Sequence, residues 1–232
     1  MKQILNPNHP IYISYAQKES SKLLSLIVAN LEKGGVKVNF DIRDNGPTKS
    51  IRDFEAAIGN ANTVIVILSD AYFESFNCMC EMVSLVKRGE IDKRVIFIDC
   101  LKEVQRNAES HNLIKKKWED KFNEHNSISP SDTTLLDIKK DLGDIVTFFS
   151  TFWGFVKDQV AFMSADVESD EALGLLALIK ERLSSINPMI PNDTIDPMNS
   201  SAIPAPQTIV NQTGNQSIYI STVNGNVTIG SK

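Results

Sequence analysis

One short segment of the chain carries five chemically useful side chains at regular spacing. Between Leu68 and Glu81 the sequence LSDAYFESFNCMCE places a hydroxyl, a phenol, a second hydroxyl, a thiol and a carboxylate every three residues. This S-x-x-Y-x-x-S-x-x-C-x-x-E pattern begins where an apolar run ends, so it lies where a buried strand gives way to a helix. A carboxylate held there can stabilise positive charge developing on a bound sugar, as in glycoside hydrolysis.

The residues after Ser75 have helical periodicity. Four apolar residues recur on one predicted core face: Met79, Met82, Val83 and Val86. A different face carries Asn77, Glu81 and Leu85. The helix dipole near the amino end favours the ionised form of Glu81. The alternative interpretation is that Glu81 is an ordinary solvated glutamate.

The elements that would position this segment alternate between strand and helix. The predicted strands are residues 11–15, 36–40, 64–68 and 95–98. Residues 64–68 are continuously apolar, as in a parallel strand covered on both faces. Gly34-Gly35 is predicted to end the first helix in a left-handed conformation. The pattern predicts an α/β fold with an open sheet, whose ligands bind beyond the carboxyl ends of the strands.

The flanking segments extend the pattern into a family resemblance. IYISYAQKES (11–20), NFDIRDNGPTKSIRDFEAAIGNANTVIVILS (39–69) and IDKRVIFIDC (91–100), together with the segment above, resemble the TIR (Toll/interleukin-1 receptor) domain. The resemblance implies a flavodoxin-like open parallel sheet with flanking helices. It also implies NAD cleavage, because Glu81 stands where enzymatic members carry their catalytic glutamate.

The resemblance also implies where the substrate binds. Ala16, Gln17, Arg43 and Asn77 would line the dinucleotide site, with NAD as substrate and no cofactor. Since nicotinamide leaves as a neutral molecule, a single carboxylate at Glu81 could suffice. Enzymatic members often have tryptophan where Asn77 stands, so this chain lacks aromatic stacking there. Other TIR domains are non-enzymatic adaptors, and signalling by assembly alone is the alternative function.

Composition narrows the function classes. The 232 residues are 42% hydrophobic and 23% charged, as is usual for a globular protein. A net charge of −5 argues against a nucleic-acid partner. No signal peptide, no apolar run of membrane-spanning length and only three cysteines indicate a cytoplasmic protein without membrane contact. Cys78 and Cys80 are predicted to be packed residues, and no metal site is expected.

Two further helices are predicted before the tail. Residues 133–163 carry an apolar stripe with steps of three and four: Leu135, Ile138, Leu142, Ile145, Phe149, Phe152 and Val156. This stripe either packs within the domain or forms a self-association seam. Residues 170–186 are predicted to be a helix with acids at its amino end. The fifth strand of the family is not located by these patterns.

The carboxyl-terminal segment differs from the rest in composition. Residues 187–206 hold five of the nine prolines and are predicted to be a linker. Residues 207–232 mix β-branched residues with Asn, Gln and Gly, and no charged residue occurs from Pro197 to Ser231. This composition is typical of stacked cross-β strands. The predicted domains are therefore 1–186 (TIR domain with a helical carboxyl-terminal extension), 187–206 (linker) and 207–232 (β motif).

GNQSI and NGNVTIG within the tail resemble bacterial amyloid signalling motifs. The resemblance implies self-assembly through the tail as well as the TIR domain, and a possible NLR-type sensor with a matching motif. The predicted assembly residues are Ile218, Ile220, Val223, Asn224, Gly225, Val227 and Ile229. A plain hairpin turning at Asn224-Gly225 is the alternative. The predicted function is an effector that cleaves NAD to nicotinamide and ADP-ribose after tail-driven assembly, causing cell death or arrest in antiphage defence.

Overall fold

The computed structural model describes residues 10–17, 21–40, 51–127, 133–186, 209–213, 216–223 and 226–231. Contacts divide the chain into two units, Met1–Pro188 and Met189–Lys232. Within the described parts of the chain, no helix combines the length and apolar character needed to cross a bilayer.

The first unit is an open parallel sheet flanked by helices, which confirms the predicted fold class. Its strands are β1 (Ile11–Tyr15), β2 (Val38–Asn39), β3 (Val64–Leu68), β4 (Val95–Asp99) and β5 (Phe162–Met163). Its helices are α1 (Ser21–Lys33), α2 (Ile51–Asn60), α3 (Phe76–Arg88), α4 (Ile91–Arg94), α5 (Ala108–Ser127), α6 (Thr133–Asp158), α7 (Ser164–Ser169) and α8 (Leu173–Ile186). A 3-10 turn, Asp70–Glu74, connects β3 to α3. The strand order is β2-β1-β3-β4-β5, and every pair is parallel.

The predicted strands differ from the observed ones mainly at the sheet edges. The first and third were predicted at their observed bounds, whereas β2 is only two residues long. The fifth strand, β5, is equally short and pairs through Phe162 and Met163 alone. Two residues at a half-exposed edge form no apolar run, so periodicity could not locate this strand.

The predicted helix over 170–186 begins three residues later, at Leu173. Glu171 and Ala172 have φ angles of 53° and 60°, a left-handed conformation that no α-helix includes. The Asp170 carboxylate lies just before this break and accepts a hydrogen bond from the Gly174 N–H at 2.9 Å. Asp170, which was predicted to begin the helix, therefore lies before it and caps its amino end.

Helices cover both faces of the sheet, and successive residues of β3 lie alternately in the two cores on either side. Val64, Val66 and Leu68 lie in a core with residues of α2, α3, α5 and α6. Ile65 and Ile67 lie in a second core with residues of α1, α7 and α8. All five are fully buried, as expected for a central parallel strand.

The apolar stripe of α6 packs inside this first core. Its residues Leu142, Ile145, Phe149, Phe152 and Val156 are buried against α3 and α5. The packing interpretation is therefore confirmed. The self-association seam is wrong for this face, because the domain's own helices cover it.

The first helix ends in the glycine motif that the sequence predicts. The Val36 N–H bonds to the Leu31 carbonyl at 3.0 Å and the Gly35 N–H to the Glu32 carbonyl at 3.0 Å. Gly35, with φ 85°, occupies the left-handed position of this Schellman motif, which glycine adopts without strain.

The second unit contains a three-stranded antiparallel sheet. Its strands are β6 (Ile209–Thr213), β7 (Gln216–Val223) and β8 (Asn226–Ser231), in the order β6-β7-β8. Val223 pairs with Asn226, so β7 and β8 are paired antiparallel on either side of Asn224-Gly225, where the alternative interpretation above places a hairpin turn. Asn224 and Gly225 themselves, and the linker 187–206, lie outside the described residues.

A buried arginine at the amino end of β4 forms hydrogen bonds with the neighbouring backbone. Arg94 is 5% exposed, and its guanidinium donates to the carbonyls of Gly59, Ala61, Leu85 and Gly89 at 2.6 to 3.2 Å. These carbonyls belong to the ends of α2 and α3 and their following loops. One side chain thus ties two helix ends to the central sheet.

Replacing Arg94 with methionine should destabilise the domain by on the order of 3 kcal/mol, because buried carbonyls then lose their donors. The measurement is the urea midpoint of unfolding. Lys93→Met is the matched control, since the Lys93 side chain is 70% exposed and its loss should change stability by less than about 0.5 kcal/mol. Equal midpoints for the two variants would contradict the role of Arg94.

Candidate active site

The strand order locates a crevice at the carboxyl edge of the sheet. In the order β2-β1-β3-β4-β5, β2 lies on one side of β1 and the later strands lie on the other, so the strand order reverses between β1 and β3. Ligands of such open sheets bind at the point of reversal, beyond the carboxyl ends of these strands. Tyr15 at the end of β1 pairs with Ile67 near the end of β3. The residues that follow these strands, Ala16 and Ser69, begin the loops that form the crevice.

Strand alternation brings Ser14 to the face that α3 covers. Ile11 and Ile13 lie in the core beneath α1 and α8, so Ser14, one position on, lies on the opposite face. Its side chain is 1% exposed. The Ser14 hydroxyl donates to Glu81 Oε2 at 2.5 Å. A strand residue and a helix residue, 67 positions apart, therefore share one buried hydrogen bond.

Glu81 lies in the second turn of α3 and is buried. Ser75 caps this helix, with its Oγ accepting a hydrogen bond from the Cys78 N–H at 3.3 Å. Glu81 is only 8% exposed, so the interpretation of a solvated glutamate is wrong. Leu85, predicted to share its face outside the core, is 0% exposed. The predicted two-face division fails because α3 packs against both α2 and α6 as well as the sheet.

The motif tyrosine joins the same cluster. Tyr72 is fully buried, and its hydroxyl lies 3.0 Å from Ser14 Oγ. Burial raises the pKa of Tyr72 well above its usual value, and the negative charge of a Cys78 thiolate or of Glu81 would raise it further. The phenol therefore stays protonated, and in this contact either hydroxyl can be the donor.

The motif cysteine is packed, as predicted. Cys78 is 3% exposed, and its thiol donates to the Tyr15 carbonyl at 3.3 Å. Burial, reinforced by the Glu81 charge, raises the pKa of Cys78 to about 12. Burial also raises the pKa of Cys80, so both thiols remain neutral. Among the described residues, no group of three or more His, Cys, Asp or Glu side chains is placed to hold a metal ion.

The predicted substrate residues are placed unequally. The hydrogen bond from Cys78 to Tyr15 brings the start of α3 next to the end of β1. Ala16 directly follows Tyr15, and Asn77 directly precedes Cys78. Ala16 is buried, whereas Gln17 and Asn77 are exposed. Asn77 lies one helical turn before Glu81 on α3. Arg43 lies outside the described residues.

Ser14 is the residue that sequence reasoning missed. Its signal was a single hydroxyl in the otherwise apolar and aromatic strand IYISY. A polar side chain at an inward position needs a buried partner, but the sequence alone does not reveal that the partner is Glu81.

The loop after β4 is anchored at the same sheet edge. The Asp70 carboxylate, in the motif's 3-10 turn, accepts hydrogen bonds from the backbone N–H groups of Glu103 and Val104 at 3.0 Å. Asp99, at the end of β4, forms a 2.7 Å ion pair with Arg106. These contacts hold the loop after β4 against the turn after β3 and the end of β4.

The family model for the TIR domain matches residues 11–127, which is half of the chain. No curated protein matches the sequence. Among solved structures, the TIR domains of the activated Roq1 resistosome directly recognising the pathogen effector XopQ are similar at 18% identity and a TM-score of 0.47, covering 74% of this chain and 99% of that one.

Proposed function

The chain belongs to the TIR domain family, and from this premise we propose that it cleaves NAD to nicotinamide and ADP-ribose. The observation that carries the proposal is the Glu81 carboxylate, buried at the crevice edge and held by the Ser14 hydroxyl. A buried carboxylate with a defined hydrogen bond is suited to stabilising developing positive charge, because water screens it little and it needs little reorganisation.

The proposed reaction uses one carboxylate. The bond between ribose C1′ and the nicotinamide nitrogen breaks, and its electron pair leaves with nicotinamide, which becomes neutral. Glu81 stabilises the positive charge left on the ribose. Water then adds to C1′ and releases one proton to solvent. No general acid is needed, because nicotinamide leaves as a neutral molecule.

The exposed polar residues at the crevice would contact the rest of the substrate. Gln17 and Asn77 carry amides that both donate and accept hydrogen bonds, and they flank the Cys78–Tyr15 contact near Glu81. They are suited to ribose hydroxyls and phosphate oxygens. Arg43, by family resemblance, would contribute a charge to the pyrophosphate.

The tail supplies the proposed means of assembly. The strand pairing aligns Ile209 with Ile220 and Ile220 with Ile229. At these matched positions all three strands carry isoleucine. A three-stranded sheet with β-branched residues along its strands, two edge strands and no charged residue within it favours pairing with further copies of itself.

Assembly through the tail would concentrate the tethered domains and thereby activate them. In this proposal an NLR-type sensor with a matching motif seeds the tails, the TIR domains associate in the cytoplasm, and NAD is depleted. Cell death or growth arrest in antiphage defence would follow.

Glu81→Gln should abolish NAD loss by artificially clustered protein while leaving the fold intact, because the substitution keeps the size of the side chain and removes its charge. Nicotinamide release is the measurement. Glu74→Gln is the matched control, since Glu74 is a motif-segment acid that is 69% exposed and pairs with Lys117. Unchanged turnover in folded Glu81→Gln would remove Glu81 from the mechanism. A silent wild type would favour the adaptor alternative.

Linear ADP-ribose should predominate over any cyclic product, because Asn77 cannot stack on adenine to hold it over the reacting ribose. Chromatography of the reaction products measures the ratio. Tyr72 is fully buried and cannot replace the missing aromatic, whereas Phe76 is half-buried on the first turn of α3. A mainly cyclic product would contradict the role given to Asn77 and indicate Phe76 as the stacking residue.

A peptide of residues 207–232 should form fibres with a cross-β spacing of roughly 4.7 Å. Ile218→Lys should block them, because every layer of the stack would repeat the charge and the like charges would repel one another. Ile218→Val is the control and should assemble, since it keeps a β-branched aliphatic residue. Fibre diffraction and thioflavin binding are the measurements. A monomeric peptide at high concentration, or full toxicity after deletion of residues 207–232, would exclude tail-driven assembly.

A further inference from the structure

We propose that Ser14 and Tyr72 form a hydrogen-bonded relay that positions the Glu81 carboxylate for catalysis. The inference rests on the proposed NAD cleavage and assigns positioning roles to two residues that do not themselves touch the substrate. The three side chains meet at the carboxyl edge of the sheet, with Ser14 Oγ 2.5 Å from Glu81 Oε2 and 3.0 Å from the Tyr72 hydroxyl.

The direction of the relay follows from the chemistry of its members. An ionised carboxylate only accepts hydrogen bonds, so the single Ser14 proton points to Glu81. The Ser14 oxygen then accepts a hydrogen bond from the Tyr72 hydroxyl. Because Tyr72 retains that proton at physiological pH, this arrangement satisfies all three groups while Glu81 is ionised. The two thiols whose pKa responds to the Glu81 charge, Cys78 and Cys80, are neutral as well.

The relay joins three separate elements of the fold. Ser14 belongs to β1, Tyr72 to the 3-10 turn after β3, and Glu81 to α3. Each hydrogen bond spans more than fifty residues of sequence. A shift of the turn or the helix relative to the strand therefore breaks a hydrogen bond, and the carboxylate is held at one position in the crevice.

The fixed end of the relay is the Tyr72 ring. It packs in parallel with Phe152 of α6, with centroids 6.4 Å apart and an angle of 20° between the rings. Phe73 meets it edge to face at 6.0 Å. Phe152 is fully buried and also contacts Phe97 of β4 at 5.8 Å. Since α6 lies beyond residue 127, where the family match ends, this support comes from outside the matched segment.

Three substitutions separate positioning from packing. Tyr72→Phe removes one hydroxyl and keeps the ring, and Ser14→Ala removes the donor to Glu81. Thr63→Val is the control, because the buried Thr63 hydroxyl, at the amino end of β3, has no hydrogen-bond partner among the described residues. The full-length chain carrying each change is clustered on vesicles through an added affinity tag, and kcat and KM for NAD are measured.

Ser14→Ala should lower kcat by on the order of tenfold with little change in KM, because a misplaced catalytic group lowers the rate of the chemical step more than binding. Tyr72→Phe should lower kcat less, in the same direction, and Thr63→Val should leave it unchanged. Ser14→Thr restores the hydroxyl and should recover most of the lost rate. Folded Ser14→Ala and Tyr72→Phe proteins with wild-type kcat would overturn the relay.

An infrared measurement tests the same contact without requiring activity. The spectrum of the wild type minus that of Glu81→Gln isolates the Glu81 carboxylate band, and the same subtraction in the Ser14→Ala background shows that band without the hydrogen bond from Ser14. The relay requires the band to shift between the two. An unshifted band overturns the relay, whereas a shifted band in a protein that does not cleave NAD leaves the relay in place and overturns the proposed activity.

Discussion

The hydrogen bond between Ser14 and Glu81 is the interaction on which the site depends. A carboxylate that is only 8% exposed loses most of its hydration, and an unpaired buried charge is costly. The fold offsets this cost with a donor from β1 and with neutral neighbours, Tyr72 and Cys78. A second buried anion in place of either neighbour would repel the carboxylate and favour its protonation.

The hydrogen bond between Ser14 and Glu81 requires β1 to keep its register with the neighbouring strands. Ser14 lies on the α3 face only because β1 alternates between two buried cores, and a slip of one residue would turn it towards α1. Complete coverage of both faces makes this slip unfavourable, since it would place Ser14 among the aliphatic residues of the second core. The helices beyond residue 127 therefore contribute to the site: α6 supports the Tyr72 ring, and α8 closes the opposite face.

The sequence predicted the features that depend on neighbouring residues, and it did not predict the contacts between residues that are far apart in the chain. The β1 and β3 strands, the glycine stop after α1 and the helix bearing Glu81 were predicted because their signals are local runs and periodicities. The edge strand β5 is too short to form such a pattern. The partnership of Ser14 with Glu81 spans 67 residues and depends on tertiary packing. Spacing identified the carboxylate, therefore, but not the group that holds it.

The two units of the chain meet opposite physical requirements. The sheet domain buries the apolar stripe of α6, and its surface carries paired charges such as Lys87 with Asp144 and Lys93 with Glu90. The tail has no charged residue between Pro197 and Ser231, and its three strands pair antiparallel. In the proposed function the tails associate first, and the TIR domains associate after them. Tail contacts can then set the local concentration of the domains while the buried hydrogen bonds around Glu81 remain as they are in each copy.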